Sequence, residues 1–326
     1  MSERKPLITS PAAQMGAGLL SRRRFLAGLG VVALSAATGM LAGCVDQHPY
    51  RNADGTEQQR LIATSPAVAT ICDKLNLDLV GVCNTSFDLP DRYADVPKVG
   101  NAMSPDLEIV KSLHPSCVIS PNSLQSDLQP KYAGIAVACM FLDLRSVPGM
   151  YDSISFLGNR FDRANEAQSL VDEYNSFMES YRADIEGKPR PRVLVLMGLP
   201  GSYVVATENS YAGSLVALAG GENVYAGSDQ EFINVNTEDM RSKDPDVILR
   251  TAHALPQQVM QMFAKEFATN DIWKHFRAVQ EGRVYDLPYD QFGMSATFNY
   301  PDALNTVQPM LYDDVAGTDG TSGEGE

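Results

Sequence analysis

The stretch from Asp162 to Gly187 limits what this chain can fold into more than any other. Apolar residues recur at Phe161, Ala164, Ala167, Leu170, Val171, Tyr174, Phe177, Met178, Tyr181 and Ile185. Steps of three and four draw one stripe along a helix and leave the charges on its other face. Asp162 is placed as the N-cap, and Gly187 followed by Pro189 as the stop. About 24 residues at ~1.5 Å each make a rod of roughly 36 Å, longer than the average globular helix. Residues 151–188 are thus expected to be a helical spine between two α/β lobes, 60–150 and 189–313, with a ligand cleft between them. The competing arrangement is one large domain with an ordinary surface helix.

The flanking sequence favours two lobes. Strands are expected at Leu61–Thr64, Leu79–Cys83, Cys117–Ile119 and Val137–Leu142 before the spine. After it they are expected at Val193–Leu196, Tyr203–Ala206, Val247–Leu249 and Val284–Tyr285. Helices between such strands imply parallel sheets covered on their faces. An internal echo links the halves. Glu108, Lys111-Ser112 and Pro115 precede one strand, and Glu238, Arg241-Ser242 and Pro245 precede another at the same spacing.

The N-terminal segment stands apart from this body. Ser21-Arg22-Arg23-Arg24-Phe25-Leu26 is a twin-arginine pattern, followed by an apolar run to Met40 and then Leu41-Ala42-Gly43-Cys44. This is the layout of a bacterial lipoprotein signal in residues 1–43, with Cys44 as the lipid-bearing (palmitate) first residue of the mature chain. Residues 44–59 are expected to be a tether and 314–326 a disordered acidic tail. The expected location is the outer face of the cytoplasmic membrane. Five of the 26 basic and one of the 40 acidic side chains fall in residues 1–43, so the remainder carries a formal net charge of −18 at pH 7. Such a surface repels nucleic acid. Cys72, Cys83, Cys117 and Cys139 form no C-x-x-C pair, which argues against zinc. An exported location permits disulfides between them, and buried free thiols fit equally well.

In open parallel sheets ligands bind beyond the C-terminal strand ends. Two loops there carry candidate metal ligands. Met103 lies in Val99-Gly100-Asn101-Ala102-Met103, and His253 in Thr251-Ala252-His253-Ala254-Leu255-Pro256. Coming from different lobes, they could face one another. Each alone has a plain structural explanation, since most of the 13 methionines must fill cores. His48, His114 and His275 are weaker candidates, in the tether, before a proline turn and in the segment around Trp273. No nucleophile elbow, H-E-x-x-H, P-loop or dinucleotide fingerprint occurs, so a binding protein is expected rather than an enzyme.

Five segments carry a resemblance: Val99–Asp106, Leu196–Tyr203 with Ala206-Thr207-Glu208, Gly220–Val224, Ile248–His253 and Asn270–Phe276. Together they resemble the haem-binding lipoproteins of Gram-positive haem ABC importers, of the iron-regulated surface determinant E type, over about residues 60–290. The resemblance implies two Rossmann-like lobes bridged by one long helix, and haem b carried as transported ligand in the cleft. It implies Met103 and His253 as axial iron ligands, with Thr64 and Ser65 as candidates for the propionates. It also implies a permease and ATPase as partners, with Glu108 and Glu238 docking one lobe each. A monomer is expected. Met294-Ser295-Ala296-Thr297-Phe298 departs from the family pattern in a region that could line the cleft. The alternatives are a ferric siderophore or cobalamin on the same scaffold, an enzyme on that scaffold, or a haem storage or redox protein without a transporter.

Overall fold

A computed structural model describes residues 59–312. The expected signal segment, Cys44, most of the tether and the acidic tail lie outside the described residues. No helix among the described residues is long and apolar enough to cross a membrane.

The first lobe is built from β1 (Leu61–Ala63), α1 (Pro66–Lys74), β2 (Leu79–Val82), a small hairpin of β3 (Gly100–Asn101) and β4 (Ser104–Pro105), α2 (Leu107–Ser112), β5 (Cys117–Pro121), α3 (Gln125–Gly134) and β6 (Cys139–Leu142). Its sheet has the order β2-β1-β5-β6, and all pairs are parallel. Alternation along the strands sends side chains to two cores. Leu61, Ala63, Ile119 and Leu142 pack with α1, while Ile62, Val118 and Phe141 pack with Val110 of α2 and with Leu128 and Tyr132 of α3. Burying one such side chain fully contributes about 1.5–3 kcal/mol.

Two helices follow, α4 (Val147–Arg160) and α5 (Ala164–Ile185). The expected N-cap at Asp162 is therefore corrected. Asp162 is left-handed (φ 57°) and sits in the link that ends α4, while the residue ahead of α5 is Arg163, which makes no side-chain cap. An aspartate tolerates that conformation, so an acidic residue at this position suits a stop as well as a start. A β-carbon on Gly158 of α4 would lie 2.4 Å from that of Ala167 on α5, so only glycine permits this approach. Gly187 does end the helical region, at φ 76°.

The second lobe contains β7 (Arg192–Leu199), β8 (Ser202–Ala206), α6 (Tyr211–Leu218), β9 (Glu222–Asn223), β10 (Phe232–Ile233), α7 (Thr237–Ser242), β11 (Val247–Ala252), α8 (Pro256–Thr269), α9 (Arg277–Gln280), β12 (Val284–Asp286) and α10 (Tyr300–Tyr312). Its sheet runs β10-β8-β7-β11-β12, with β9 pairing β7. The expected all-parallel sheet is corrected here. β7 and β8 form an antiparallel hairpin across Pro200-Gly201, and β10 is antiparallel to β8. Helices still cover both faces, so the doubly covered α/β architecture holds.

The α4–α5 pair and α10 join the lobes through a cluster of rings. Tyr151 stacks on Tyr174 with centroids 4.3 Å apart, Tyr300 packs edge-on against both, and the Tyr181 hydroxyl donates to the Leu304 carbonyl at 3.2 Å. One buried cluster runs from Leu61 and Ile119 through α4, α5 and α10 to Val193 and Leu249. A continuous core of this kind resists large bending between the lobes.

Candidate functional site between the two lobes

Met103 sits at the tip of the β3–β4 hairpin and is 60% exposed. The hairpin is held by backbone bonds. Asn84 N–H donates to Gly100 O at 2.7 Å and Asp106 N–H to Val99 O at 2.7 Å. The Asn101 side chain accepts from Ser104 N–H at 2.9 Å. Gly100 is left-handed (φ 93°), and a β-carbon there would meet Asp106 N at 2.8 Å. A thioether on so braced a tip, left in water, is better explained by a ligand than by packing.

His253 follows β11 on the other lobe, and its N–H donates to Gly198 O at 2.9 Å. Gly198 lies under α8, where a β-carbon would fall 2.2 Å from Val259 and 2.7 Å from Phe263. Gly198 is the strand position that lets α8 close down beside His253. The imidazole is half-buried, and its Nδ1 is buried with no hydrogen-bond partner. Burial pushes its pKa below the usual 6.5, which keeps the ring neutral at pH 7. Leu255, two residues on, is left-handed (φ 49°) and 53% exposed. A neutral imidazole on one lobe and an exposed thioether on the other are side chains of a kind able to ligate iron.

The two edges meet. The loop after β2 carries Phe87, and the turn after β12 carries Tyr289; their rings stack with centroids 5.8 Å apart. Phe87 shares its strand edge with the Met103 hairpin, and Tyr289 shares the edge that carries His253. Arg145, paired with Asp143 at 2.8 Å, also interacts electrostatically with Glu231 of the second lobe. Burial raises the Glu231 pKa, partly offset by Arg145, whereas Arg145 holds Asp143 below the usual carboxylate range. The sequence does not single out Phe87, Tyr289, Arg145 or Glu231, because their pairing depends on two lobes distant in the chain.

Thr64 and Ser65 lie just ahead of α1, at its N-terminus. Thr64 is fully buried, and its hydroxyl bonds Ser120 Oγ at 2.8 Å. Ser65 caps α1 by accepting from Val68 N–H at 3.3 Å. The Thr64 hydroxyl donates within the fold, whereas Ser65 Oγ accepts from the first turn of α1 and its own O–H is not used by that bond. The segment 294–298 ties back to the first lobe, with Ala296 N–H donating to Leu144 O at 2.7 Å and Ala296 buried.

Glu108 and Glu238 are exposed in the first turns of α2 and α7. The echo in the sequence is an echo in three dimensions. Both helices have six residues, their N-caps are Asp106 and Asn236, and each is followed by a left-handed residue at φ 45°, His114 or Asp244. Arg60 reaches back to Leu113 O at 2.6 Å, as Arg192 does to Lys243 O at 2.7 Å. Cys72, Cys83, Cys117 and Cys139 are buried thiols not joined in disulfides, with burial pushing the Cys72 thiol up to about 12 and Cys83 to about 11.

Two wound lobes joined by helices, with the Met103 hairpin on one and His253 on the other, are the frame of a two-lobed binding protein. The chain belongs to the periplasmic binding protein family, which it matches over residues 61–290. It is 42% identical over 256 residues to the high-affinity heme uptake system protein IsdE of Staphylococcus aureus (strain bovine RF122 / ET3-1), covering 78% of this chain and 88% of that protein. Among solved structures it is similar to an ABC transporter substrate-binding protein from Listeria monocytogenes EGD-e, at 47% identity and a TM-score of 0.75, covering 78% of this chain and all of that one. It is also similar to S. aureus IsdE complexed with heme, at 41% identity and a TM-score of 0.74, covering 78% of this chain and 99% of that one.

Proposed function

We propose that this protein captures haem outside the membrane and delivers it to the permease and ATPase of an ABC importer. The observation that carries this is the 42% identity, over 88% of its length, to a protein named for heme uptake. The site supports it. Met103 and His253 would be the axial ligands, adding no charge to the iron, and Met/His ligation raises its reduction potential. Exposed apolar side chains such as Leu255 would cover the porphyrin face and remove it from water. Binding involves no turnover, and haem b leaves unchanged. Residues 60–150 and 189–313 act as the two lobes, with 151–188 between them. Cys44 carries the lipid that holds the protein at the outer face of the cytoplasmic membrane. Glu108 and Glu238 face one arginine-bearing surface each on the permease and set orientation more than affinity.

Titrating the full chain in detergent with hemin, cobalamin and a ferric siderophore tests the reading. Saturation at one hemin per chain, with the other two ligands inert, is expected. Saturable binding of either of the others and not of hemin would overturn it.

A further inference from the structure

The Phe87–Tyr289 stack is the one ring contact among the described residues that joins a loop after β2 to a turn after β12. Its two sides are anchored very differently. The Tyr289 turn is pinned to β11: Leu287 N–H donates to Arg250 O at 2.8 Å, Phe292 N–H to Pro288 O at 3.0 Å, and Thr251 Oγ1 to Phe292 O at 2.9 Å. Phe87 has a local bond only, from its own N–H to Thr85 Oγ1 at 3.0 Å, and its side chain is 45% exposed. A cavity of about 420 Å3 lies beside it, lined by Asn84, Thr85, Phe87, Ala94 and Lys98. One ring is therefore fixed, and the other has both freedom and room to move.

We propose that Phe87 is a gate for the ligand: stacked on Tyr289 it closes one flank of the ligand-free cleft, and turned into the neighbouring cavity it lets a flat ligand pass. The proposal rests on the reading of this cleft as the haem site. A contact made in the ligand-free protein and lost on entry opposes entry by the free energy of that contact. Stacked aromatic pairs of this kind correspond to about a two- to tenfold effect. A ring that moves aside admits a disc more readily than a bulky ligand, so the gate also favours planar cargo.

Stopped-flow absorbance of hemin binding to the full chain in detergent tests this. Phe87→Ala and Tyr289→Ala should each speed association about two- to tenfold, and the double variant should be no faster than either. Ala94→Leu, which adds bulk to the cavity wall, should slow association. Unchanged or slower association in both alanine variants, or fully additive effects, would overturn the gate. Denaturant unfolding of the ligand-free variants gives a second readout that needs no haem, and coupling between Phe87 and Tyr289 is expected there. If the wild type takes up no hemin, the haem reading fails, and the coupling alone then decides whether the rings form a latch. Absence of coupling overturns the latch whether or not hemin binds.

Discussion

The two lobes are alike at one end and unlike at the other. At the end bearing Glu108 and Glu238, a short helix, a left-handed residue, a proline and a strand recur, down to the arginine that bonds the last carbonyls of the helix. At the cleft end the first lobe inserts a hairpin that holds Met103 in water, and the second ends a central strand at a half-buried His253. Repetition marks what both lobes must do in the same way. Divergence puts an exposed thioether on one lobe and a half-buried imidazole on the other, and the proposed function sets the ligand between them.

The largest effects should come from the unlike ends. His253→Ala should weaken hemin binding by about 10- to 100-fold, a loss of the size seen when a metal site is disturbed. Met103→Ala should weaken it less, about tenfold, and leave thermal stability unchanged because the side chain is exposed. Equal losses would break the asymmetry. Next comes the packing beneath His253. Gly198→Val should cost about 1–3 kcal/mol by overpacking against α8, and lower the melting temperature by several degrees. A variant as stable as the wild type would show that α8 does not depend on that glycine.

The like ends should respond alike. Arg60→Ala and Arg192→Ala should each destabilise by about 1 kcal/mol in denaturant unfolding, since each removes hydrogen bonds to helix-terminal carbonyls. A cost confined to one lobe would mean that the echo is geometric but not energetic. The smallest effect concerns pH. The His253 pKa is lowered on folding, so the stability it contributes is present above the unfolded value near 6.5 and is lost as pH falls through the folded value. NMR titration of the ligand-free chain should place the His253 midpoint below 6.5. A midpoint at or above that value would mean that burial does not control this ring.

Much of this fold could be read from the sequence because its signals are periodic and local. The stripe from Ala164 to Ile185 gave α5, and the Glu-to-Pro spacing gave the paired helices. Asp162 misled because one residue type serves both to cap a helix and to leave one. The β7–β8 hairpin was missed because a strand pattern carries no direction. Met103 and His253 could be read as residues of loops next to strands, whereas the hydrogen-bond partners of the Thr64 and Ser65 hydroxyls are visible only in coordinates. Phe87 and Tyr289 left no trace at all, as neither belongs to a motif.

The central claim is that one donor from each lobe holds the same iron. The visible spectrum of the hemin-loaded full chain, beside Met103→Ala and His253→Ala, tests it most directly. A six-coordinate low-spin spectrum in the wild type that changes in both variants is the predicted result. A spectrum that stays the same in either variant would contradict it.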